Sequence, residues 1–257
     1  MTDPTRFLIA GTQRTGTTLL RTSLSSHPAI VCHGEVFKLG RVPYALPGGY
    51  WAYSRSSLSK RMSSIFTPRR SCQDFLRQLY GARDTAAVGL KLMLNQCDER
   101  SYLWPLLAAI PVRSILVTRR NYLKTLLSRR TAAATGIYHV SETLPAKAAV
   151  SSWEARPIRL DAATIVAELD AIESEAGRWR ELLSDMRCME IEYEGYVRDQ
   201  PSWNARVLDF LDVVQSPLKS DLKKVNPDRL SDLIVNYDEI ADVVSRSSHA
   251  ACLVADG

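Results

Sequence analysis

Short apolar runs alternate along the chain with segments of helical periodicity, and this alternation predicts strands connected by helices. Runs rich in Val, Ile and Leu predict strands at residues 6–10, 29–32, 88–94, 114–118 and 188–193. Apolar positions at three- and four-residue spacing predict helices at about residues 17–26, 72–80, 99–110, 121–133, 161–186, 202–213 and 229–245. Strands separated by helices usually pair in parallel, so the pattern predicts an α/β fold with a central parallel sheet flanked by helices.

No internal repeat and no low-complexity linker interrupts this pattern, and we therefore predict a single domain over residues 1–257. Residues 36–71 and 134–160 depart from the alternation. Loops this long in a compact domain are usually functional or disordered, so we predict that both stretches are substrate loops.

The first of these stretches, residues 36–71, has seven Lys and Arg residues and no Asp or Glu. Four aromatic residues, Tyr44, Tyr50, Trp51 and Tyr53, are interleaved with the basic ones. Aromatic rings stack on sugar or aryl faces and arginines pair with anions, which makes this stretch a candidate lid over an acceptor. Nucleic acid attracts the same mixture, but no nucleic-acid-binding motif surrounds it, and we predict no nucleic-acid partner.

Composition narrows the class of protein further. The formal charge of +5 and the pI of about 9.0 favour anionic ligands. The sequence has no run of about 18 apolar residues, so no transmembrane segment is predicted. The apolar run RFLIA begins too early for a signal peptide. The five cysteines are scattered and odd in number, which is typical of reduced thiols in a cytoplasmic protein. The four histidines lack metal-ligand spacing, so no metal site is predicted.

The first candidate site is the segment GTQRTGTT at residues 11–18, a glycine-rich turn between a predicted strand and a predicted helix. Backbone N–H groups and the helix dipole favour an anion at such a turn. The ATPase signature GxxxxGK[ST] has lysine where this chain has Thr17, and the nearest cation is Arg14. The strand SILVT also runs into arginines rather than an aspartate that could hold magnesium. The turn therefore predicts an anion site with Arg14 as its cation, the alternative being a glycine turn without a ligand.

The second candidate site is the segment SILVTRRNYLKTLLSRR, in which a predicted strand ends in arginines and a helix begins at once. Arg120 and Ser128 are eight residues apart, or about two helical turns, so both side chains could reach one phosphate. Arginines at strand ends are commonly solvated, and this segment alone is weak evidence.

Together the two segments resemble those of sulfotransferases that use PAPS (3′-phosphoadenosine 5′-phosphosulfate). QRTGTT is similar to their 5′-phosphosulfate loop, and RRNYLKTLLS is similar to their 3′-phosphate site. The segments GEVF, GLKLM, IEYEGYV and KKVNP are most similar to bacterial carbohydrate sulfotransferases of the Nod-factor and trehalose type. The resemblance spans about residues 6–240. It implies a P-loop-like three-layer fold and metal-free transfer of a sulfuryl group from PAPS to a hydroxyl or amine, with PAP as product.

The resemblance also implies which residues bind the donor. The backbone N–H groups of residues 14–18 would hold the 5′-phosphosulfate, and Arg120 and Ser128 would hold the 3′-phosphate. The implied donor-binding residues are therefore Arg14, Thr15, Gly16, Thr17, Thr18, Arg120 and Ser128. Lys223 and Lys224 could close over the 3′-phosphate or the adenine, although a solvated turn is the simpler interpretation.

For catalysis, the resemblance implies that Glu35, in the segment CHGEVF, is the general base, and His33 is the alternative. Glu35 could instead be an ordinary loop carboxylate, and His33 could be merely hydrogen-bonded. Lys91 places a charge in an otherwise apolar strand, which is costly unless the charge is paired or lies at a pocket. It could stabilise the bridging oxygen or position the acceptor, or it could extend to solvent at a strand edge. Arg14, the cation of the turn, is also predicted to be catalytic.

The sequence thus predicts transfer to a hydroxyl of a small-molecule acceptor that contains a sugar or a phenol, such as a glycoside, a glycolipid or an aryl compound. Two other hypotheses stay open at this point. One is an atypical P-loop kinase or NTPase, and the other is a nucleotide-binding protein without catalysis.

Overall fold

The computed structural model of the chain describes residues 3–38, 49–81, 84–96, 101–136, 157–222 and 229–254. Lys223 and Lys224 lie outside the described residues, as do residues 39–48 and 137–156 of the two predicted substrate loops.

A five-stranded parallel sheet forms the centre of the molecule. Its strands are β1 (Thr5–Gly11), β2 (Ile30–His33), β3 (Ala87–Met93), β4 (Val112–Thr118) and β5 (Cys188–Glu192). They lie in the order β2-β3-β1-β4-β5, and every neighbouring pair is parallel. All five predicted strands are confirmed, with ends shifted by one or two residues. Strands buried on both faces are continuous apolar runs, which is why their positions were visible in the sequence.

Helices flank the sheet on both faces. They are α1 (Thr17–Ser25), α2 (Gly49–Tyr53), α3 (Leu58–Phe66), α4 (Pro68–Tyr80), α5 (Leu103–Ala108), α6 (Tyr122–Thr135), α7 (Ile165–Leu182), α8 (Tyr193–Arg198), α9 (Gln200–Phe210) and α10 (Tyr237–Ser245). Short 3₁₀ turns occur at Leu94–Gln96, Leu230–Asp232 and Ala250–Leu253. The predicted helices are confirmed, although the last one is divided into a 3₁₀ turn and α10. Within the described residues, no helix has the length and apolarity to cross a bilayer.

The described part of residues 36–71 is mostly helical, whereas the sequence predicted a loop there. The Ser57 hydroxyl caps α3 by accepting a hydrogen bond from the backbone N–H of Lys60 at 3.2 Å. Pro68 occupies the first turn of α4, where its missing N–H costs nothing. Serine and proline therefore mark helix starts in this segment and do not indicate irregular structure. Its contact with a substrate stays a prediction.

The hydrophobic core lies in two layers, one on each face of the sheet. Alternate residues of β1 contribute to opposite layers: Leu8 packs with α4, α5 and α7, whereas Phe7 packs with α1 and α9. A third cluster joins α6, α7 and α10. The fold is therefore a three-layer α/β fold of P-loop-like architecture, and it places the ends of β1, β3 and β4 at one edge of the sheet.

Candidate active site

The glycine-rich turn lies between β1 and α1, as the sequence predicts. Arg14 and Gly16 both have left-handed backbone conformations, with φ of 69° and 91°. Such residues occur in turns that direct backbone N–H groups toward an anion. Gly16 is the N-cap residue of α1, and no side chain caps this helix terminus. The positive end of the helix dipole therefore meets the turn without a competing carboxylate in its first turn.

Tyr193, the first residue of α8, packs directly against this turn. A Cβ atom on Gly16 would lie 2.4 Å from Cδ2 of Tyr193, so a side chain at position 16 has no room. The Tyr193 ring also contacts the Arg119 guanidinium, whose Cζ lies 4.8 Å from the ring centroid. The aromatic ring thus bridges the turn and an arginine at the end of β4.

Arg119 is a cation beside the turn with a side chain that is only 10% exposed, and the sequence did not single it out. Its Nη1 donates to the carbonyl oxygen of Arg14 at 3.4 Å, and its Nε lies 3.7 Å from Oε1 of Glu194. This Nε has no hydrogen-bond partner among the described residues. Glu194 also accepts hydrogen bonds from the backbone N–H groups of Arg120 and Asn121, both at 3.1 Å. The buried carboxylate therefore balances Arg119 and caps the start of α6.

The predicted 3′-phosphate residues lie in different surroundings. The Arg120 side chain is 67% exposed and pairs with Glu192, with its Nε 3.3 Å from Oε1. Ser128 is buried, and its Oγ accepts a hydrogen bond from Nε of Arg14 at 2.8 Å. The structure therefore places Ser128 against the glycine-rich turn, while Arg120 extends to the surface.

Lys91 connects the candidate base to the turn. Its Nζ donates to Oε1 of Glu35 at 2.8 Å and to Oγ1 of Thr18 at 2.9 Å. The second carboxylate oxygen of Glu35 accepts a hydrogen bond from Nε2 of Gln96 at 2.6 Å. Glu35 follows β2, Lys91 lies in β3, Gln96 follows β3 and Thr18 lies in the first turn of α1. Neighbouring parallel strands thus bring together four side chains that are far apart in the sequence.

Lys91 is buried and paired, and it does not extend to solvent. Its residue is only 5% exposed. Burial lowers the pKa of Lys91, and the attraction of Glu35 opposes this shift. Arg21 and Arg14 add smaller repulsions that also lower its pKa. Glu35 therefore stabilises the charged ammonium, whereas burial disfavours it. Buried charges with perturbed pKa values are common at functional sites.

His33, the alternative base, is buried two residues before Glu35. Burial lowers the pKa of His33 because the charged imidazolium loses its hydration. Its Nε2 has no hydrogen-bond partner within the described part of the chain. The other two threonines predicted to bind the donor, Thr15 and Thr17, are buried. Oγ1 of Thr15 donates to the carbonyl oxygen of Thr12, and Oγ1 of Thr17 donates to Sδ of Met93.

A further group of polar side chains lies beside the start of α6, where the Tyr122 ring centroid is 5.7 Å from that of His249. Ligand atoms of Asp170, Glu173 and His249 lie within 4.8 Å of one another, an arrangement that residue spacing could not reveal. Nε2 of His249 is hydrogen-bonded to Oδ1 of Asp170 at 2.7 Å. This hydrogen bond gives the buried imidazole a polar partner.

The model of the sulfotransferase family matches residues 6–217, which include all five strands and the glycine-rich turn. The chain belongs to the sulfotransferase family. This membership confirms the family resemblance found in the sequence, and it assigns to the enzyme the transfer of a sulfuryl group. It also displaces the hypothesis of an atypical kinase or NTPase. The likeness to Nod-factor and trehalose enzymes stays a prediction.

Several solved sulfotransferase structures are similar to the chain. A sulfotransferase from Alicyclobacillus acidocaldarius has 17% identity and a TM-score of 0.47, with 98% of this chain and 96% of that chain covered. Sulfotransferase STF9 from Mycobacterium avium has 14% identity and a TM-score of 0.48, with coverage of 95% and 76%. The sulfotransferase domain from the curacin biosynthetic pathway has 12% identity and a TM-score of 0.46, with coverage of 99% and 84%. No curated protein matches the sequence at a significant level.

Proposed function

We propose that this sulfotransferase takes its sulfuryl group from PAPS and transfers it to a hydroxyl of a small-molecule acceptor, with Glu35 as general base. The observation that carries the proposal is the position of Lys91. Its ammonium group contacts both Glu35 and Thr18, at 2.8 and 2.9 Å. The candidate base is therefore one side chain away from the anion-binding turn.

The turn has the features that a phosphosulfate group requires. The N-terminus of α1 is uncapped, and Gly16 has no side chain. Arg14 lies in the turn itself, and Nη1 of Arg119, at the end of β4, donates to the Arg14 carbonyl oxygen at 3.4 Å. When bound, PAPS supplies a sulfuryl group on a 5′-phosphate that departs as part of PAP. The N–H groups of residues 14–18 would stabilise negative charge on that phosphate.

Arg120 and Ser128 would bind the 3′-phosphate. The exposed Arg120 side chain is long enough to exchange its ion pair with Glu192 for a phosphate, since surface ion pairs contribute little. Ser128 lies against Arg14, so its hydroxyl is already at the edge of the donor site.

Glu35 suits the role of general base better than His33 does. Lys91 and Gln96 each hold one of its carboxylate oxygens, which fixes the orientation of the group. Its side chain is still 24% exposed, so an acceptor hydroxyl can approach it. The His33 residue is 8% exposed and offers less access. The Lys91 ammonium would balance the charge that develops near the acceptor oxygen.

Aromatic rings near Glu35 support a sugar-containing or phenolic acceptor. Phe37 lies two residues after Glu35, and its ring centroid is 5.8 Å from that of Tyr50. Tyr50 stacks on Tyr53 with centroids 6.3 Å apart. Flat rings of this kind pack on the faces of sugars and aryl groups.

The test is a transfer assay with PAPS and a panel of glycosides, glycolipids and phenols, combined with calorimetry of PAP binding. We expect Glu35→Gln to lower kcat by about 10²–10⁴-fold, the usual contribution of a general base, and to leave PAP affinity unchanged. Glu181→Gln, an exposed carboxylate on α7, is the matched control and should behave as wild type. Full activity of Glu35→Gln would remove Glu35 from the mechanism.

The donor site is tested separately with PAP and AMP, which differ by the 3′-phosphate. Arg120→Gln should weaken PAP binding and leave AMP binding unchanged. An equal loss for both nucleotides would show that Arg120 does not bind the 3′-phosphate. Failure of the wild type to bind PAP would refute the choice of donor, whereas PAP binding without product on any acceptor would indicate a non-catalytic member of the family.

A further inference from the structure

Helix α3 has the reverse of the usual orientation of a surface helix. Its large apolar side chains face solvent, with exposed fractions of 76% for Leu58, 46% for Met62, 61% for Ile65 and 71% for Phe66. At about 100° per residue, these four positions fall within an arc of about 100°. The half-buried positions of the helix are instead Lys60, Ser63 and Ser64. A surface helix normally buries its apolar stripe, so this exposed stripe indicates an interaction site.

The surroundings of the stripe are strongly basic. Residues 49–71 contain Arg55, Lys60, Arg61, Arg69 and Arg70 and have no Asp or Glu. The four arginines are all exposed, and Arg61 lies on the helix directly beside the apolar arc. Trp51 is 37% exposed, and the Arg55 guanidinium lies 4.5 Å from its ring centroid. The surface therefore combines an apolar centre with a positively charged border.

We propose that α3 docks on an anionic lipid bilayer. The apolar arc enters the boundary between headgroups and acyl chains, and the arginines pair with lipid phosphates. Basic amphipathic helices bind membranes in this way, with Trp, Phe and Leu on the apolar face and Lys or Arg beside it. At nine residues the helix is short, so the contact is reversible and depends on both the apolar and the charged contributions.

The charge pattern argues against a second copy of this chain as the occupant. A two-fold symmetric contact through α3 would place each basic border against the same border of its partner. Like charges facing each other across an interface are unfavourable. An acidic protein would match the charge, and an apolar helix stripe also fits a groove in a protein. Basic amphipathic helices with Trp, Phe and Leu on the apolar face are nevertheless typical of lipid surfaces, and the vesicle test below separates the two.

The surface is also connected to the candidate active site. Nζ of Lys60 lies 4.2 Å from the ring centroid of Tyr53, which stacks on Tyr50. The Tyr50 ring in turn contacts Phe37, two residues from Glu35. A protein docked through α3 would therefore hold this aromatic cluster near the lipid surface.

The test is co-sedimentation of the full-length protein with vesicles of phosphatidylcholine alone and of phosphatidylcholine mixed with phosphatidylglycerol. We expect binding to the mixed vesicles at low salt, weak binding to the neutral ones, and release at high salt. Leu58→Ser/Ile65→Ser/Phe66→Ser should lower the partition coefficient by about ten-fold or more. Arg61→Gln/Arg69→Gln/Arg70→Gln should lower it by about five-fold for each arginine whose contact is lost.

Matched controls replace similar exposed residues elsewhere. Val214→Ser/Val254→Ser removes two exposed apolar side chains, and Lys219→Gln removes an exposed charge. Both controls should bind vesicles as wild type does, and all variants should keep the wild-type melting temperature because the positions are exposed.

Three results would overturn the proposal. The first is absence of wild-type binding to the mixed vesicles. The second is equal binding of wild type and the triple serine variant. The third is a protein contact without vesicle binding. A dimer in solution that is lost in the triple serine variant would indicate a second copy of the chain, and retention of the protein on polyglutamate would indicate an acidic protein as the partner.

Discussion

Lys91→Met removes the charge that joins Glu35 to the glycine-rich turn and keeps a side chain of similar length in β3. The ammonium lies 2.8 Å from Glu35. At that separation and an effective dielectric constant of about 20, two unit charges attract by about 6 kcal/mol.

The measurable loss is smaller than this attraction. Burial of the ammonium costs several kcal/mol, which methionine does not incur. The carboxylate is partly exposed, so water and the hydrogen bond from Gln96 compensate part of the lost interaction. We therefore expect Lys91→Met to lower the free energy of unfolding by only about 1–2 kcal/mol. Glu35→Gln should lower it by more, about 2–3 kcal/mol, because it leaves the buried ammonium without its counter-ion.

The assay is urea unfolding followed by tryptophan fluorescence, on both single variants and on Lys91→Met/Glu35→Gln. The double variant should lose about 1–2 kcal/mol less free energy of unfolding than the two single variants lose together, because each single variant leaves one group unpaired. Lys219→Met, at an exposed position, is the control and should change the free energy by less than about 0.5 kcal/mol. Additivity within about 0.5 kcal/mol would show that the two side chains do not interact, and the reasoning would be refuted.

Three further variants test other parts of the site. Gly16→Ala forces alanine into a φ of 91° and toward the Tyr193 ring. Calorimetry should therefore show weaker PAP binding, and urea unfolding should show that the free energy of unfolding falls by at least about 1 kcal/mol. Burial holds the pKa of His33 below its ordinary 6.5, so the folded state binds fewer protons than the unfolded state. The free energy of unfolding should therefore fall as pH decreases below about 6.5, and His33→Gln should reduce that slope in urea titrations at several pH values. Gln96→Leu removes the second hydrogen bond to Glu35 and should lower kcat by about ten-fold with little change in PAP affinity; an unchanged kcat would exclude a positioning role.

The strands and most helices could be predicted from the sequence because each depends on a local pattern. The central strands β1, β3 and β4 are buried on both faces and appear as apolar runs, and the long helix α7 has an apolar stripe at regular spacing. The segment containing α2 and α3 was harder to predict. Its Ser, Pro and Gly residues predicted a loop, whereas Ser57 and Pro68 lie at the starts of helices. In addition, the apolar face of α3 is exposed instead of buried.

The candidate site shows the same division between local and long-range information. The glycine-rich turn and the unusual charge at Lys91 were visible as short motifs. Its neighbours were not: the register of β2 and β3, and the turn after β3, decide that Gln96 reaches Glu35 from 61 residues away. The contact of Tyr193 with Gly16 likewise depends on where α8 begins after β5. No periodicity encodes such contacts, because they arise only when distant elements pack.

The contact between Arg14 and Ser128 changes how the two ends of the donor site relate to each other. The sequence treats the turn and α6 as separate anion sites, yet the Arg14 side chain is hydrogen-bonded to Ser128 and its carbonyl oxygen to Arg119. A left-handed conformation is unfavourable for a residue other than glycine unless its surroundings maintain it. The contacts from α6 and the end of β4 provide such support, so the shape of the turn depends on residues at the other end of the site. A phosphate that draws the Ser128 hydroxyl toward itself would therefore also reposition Arg14, and the two ends of a bound nucleotide would be energetically coupled through this one arginine.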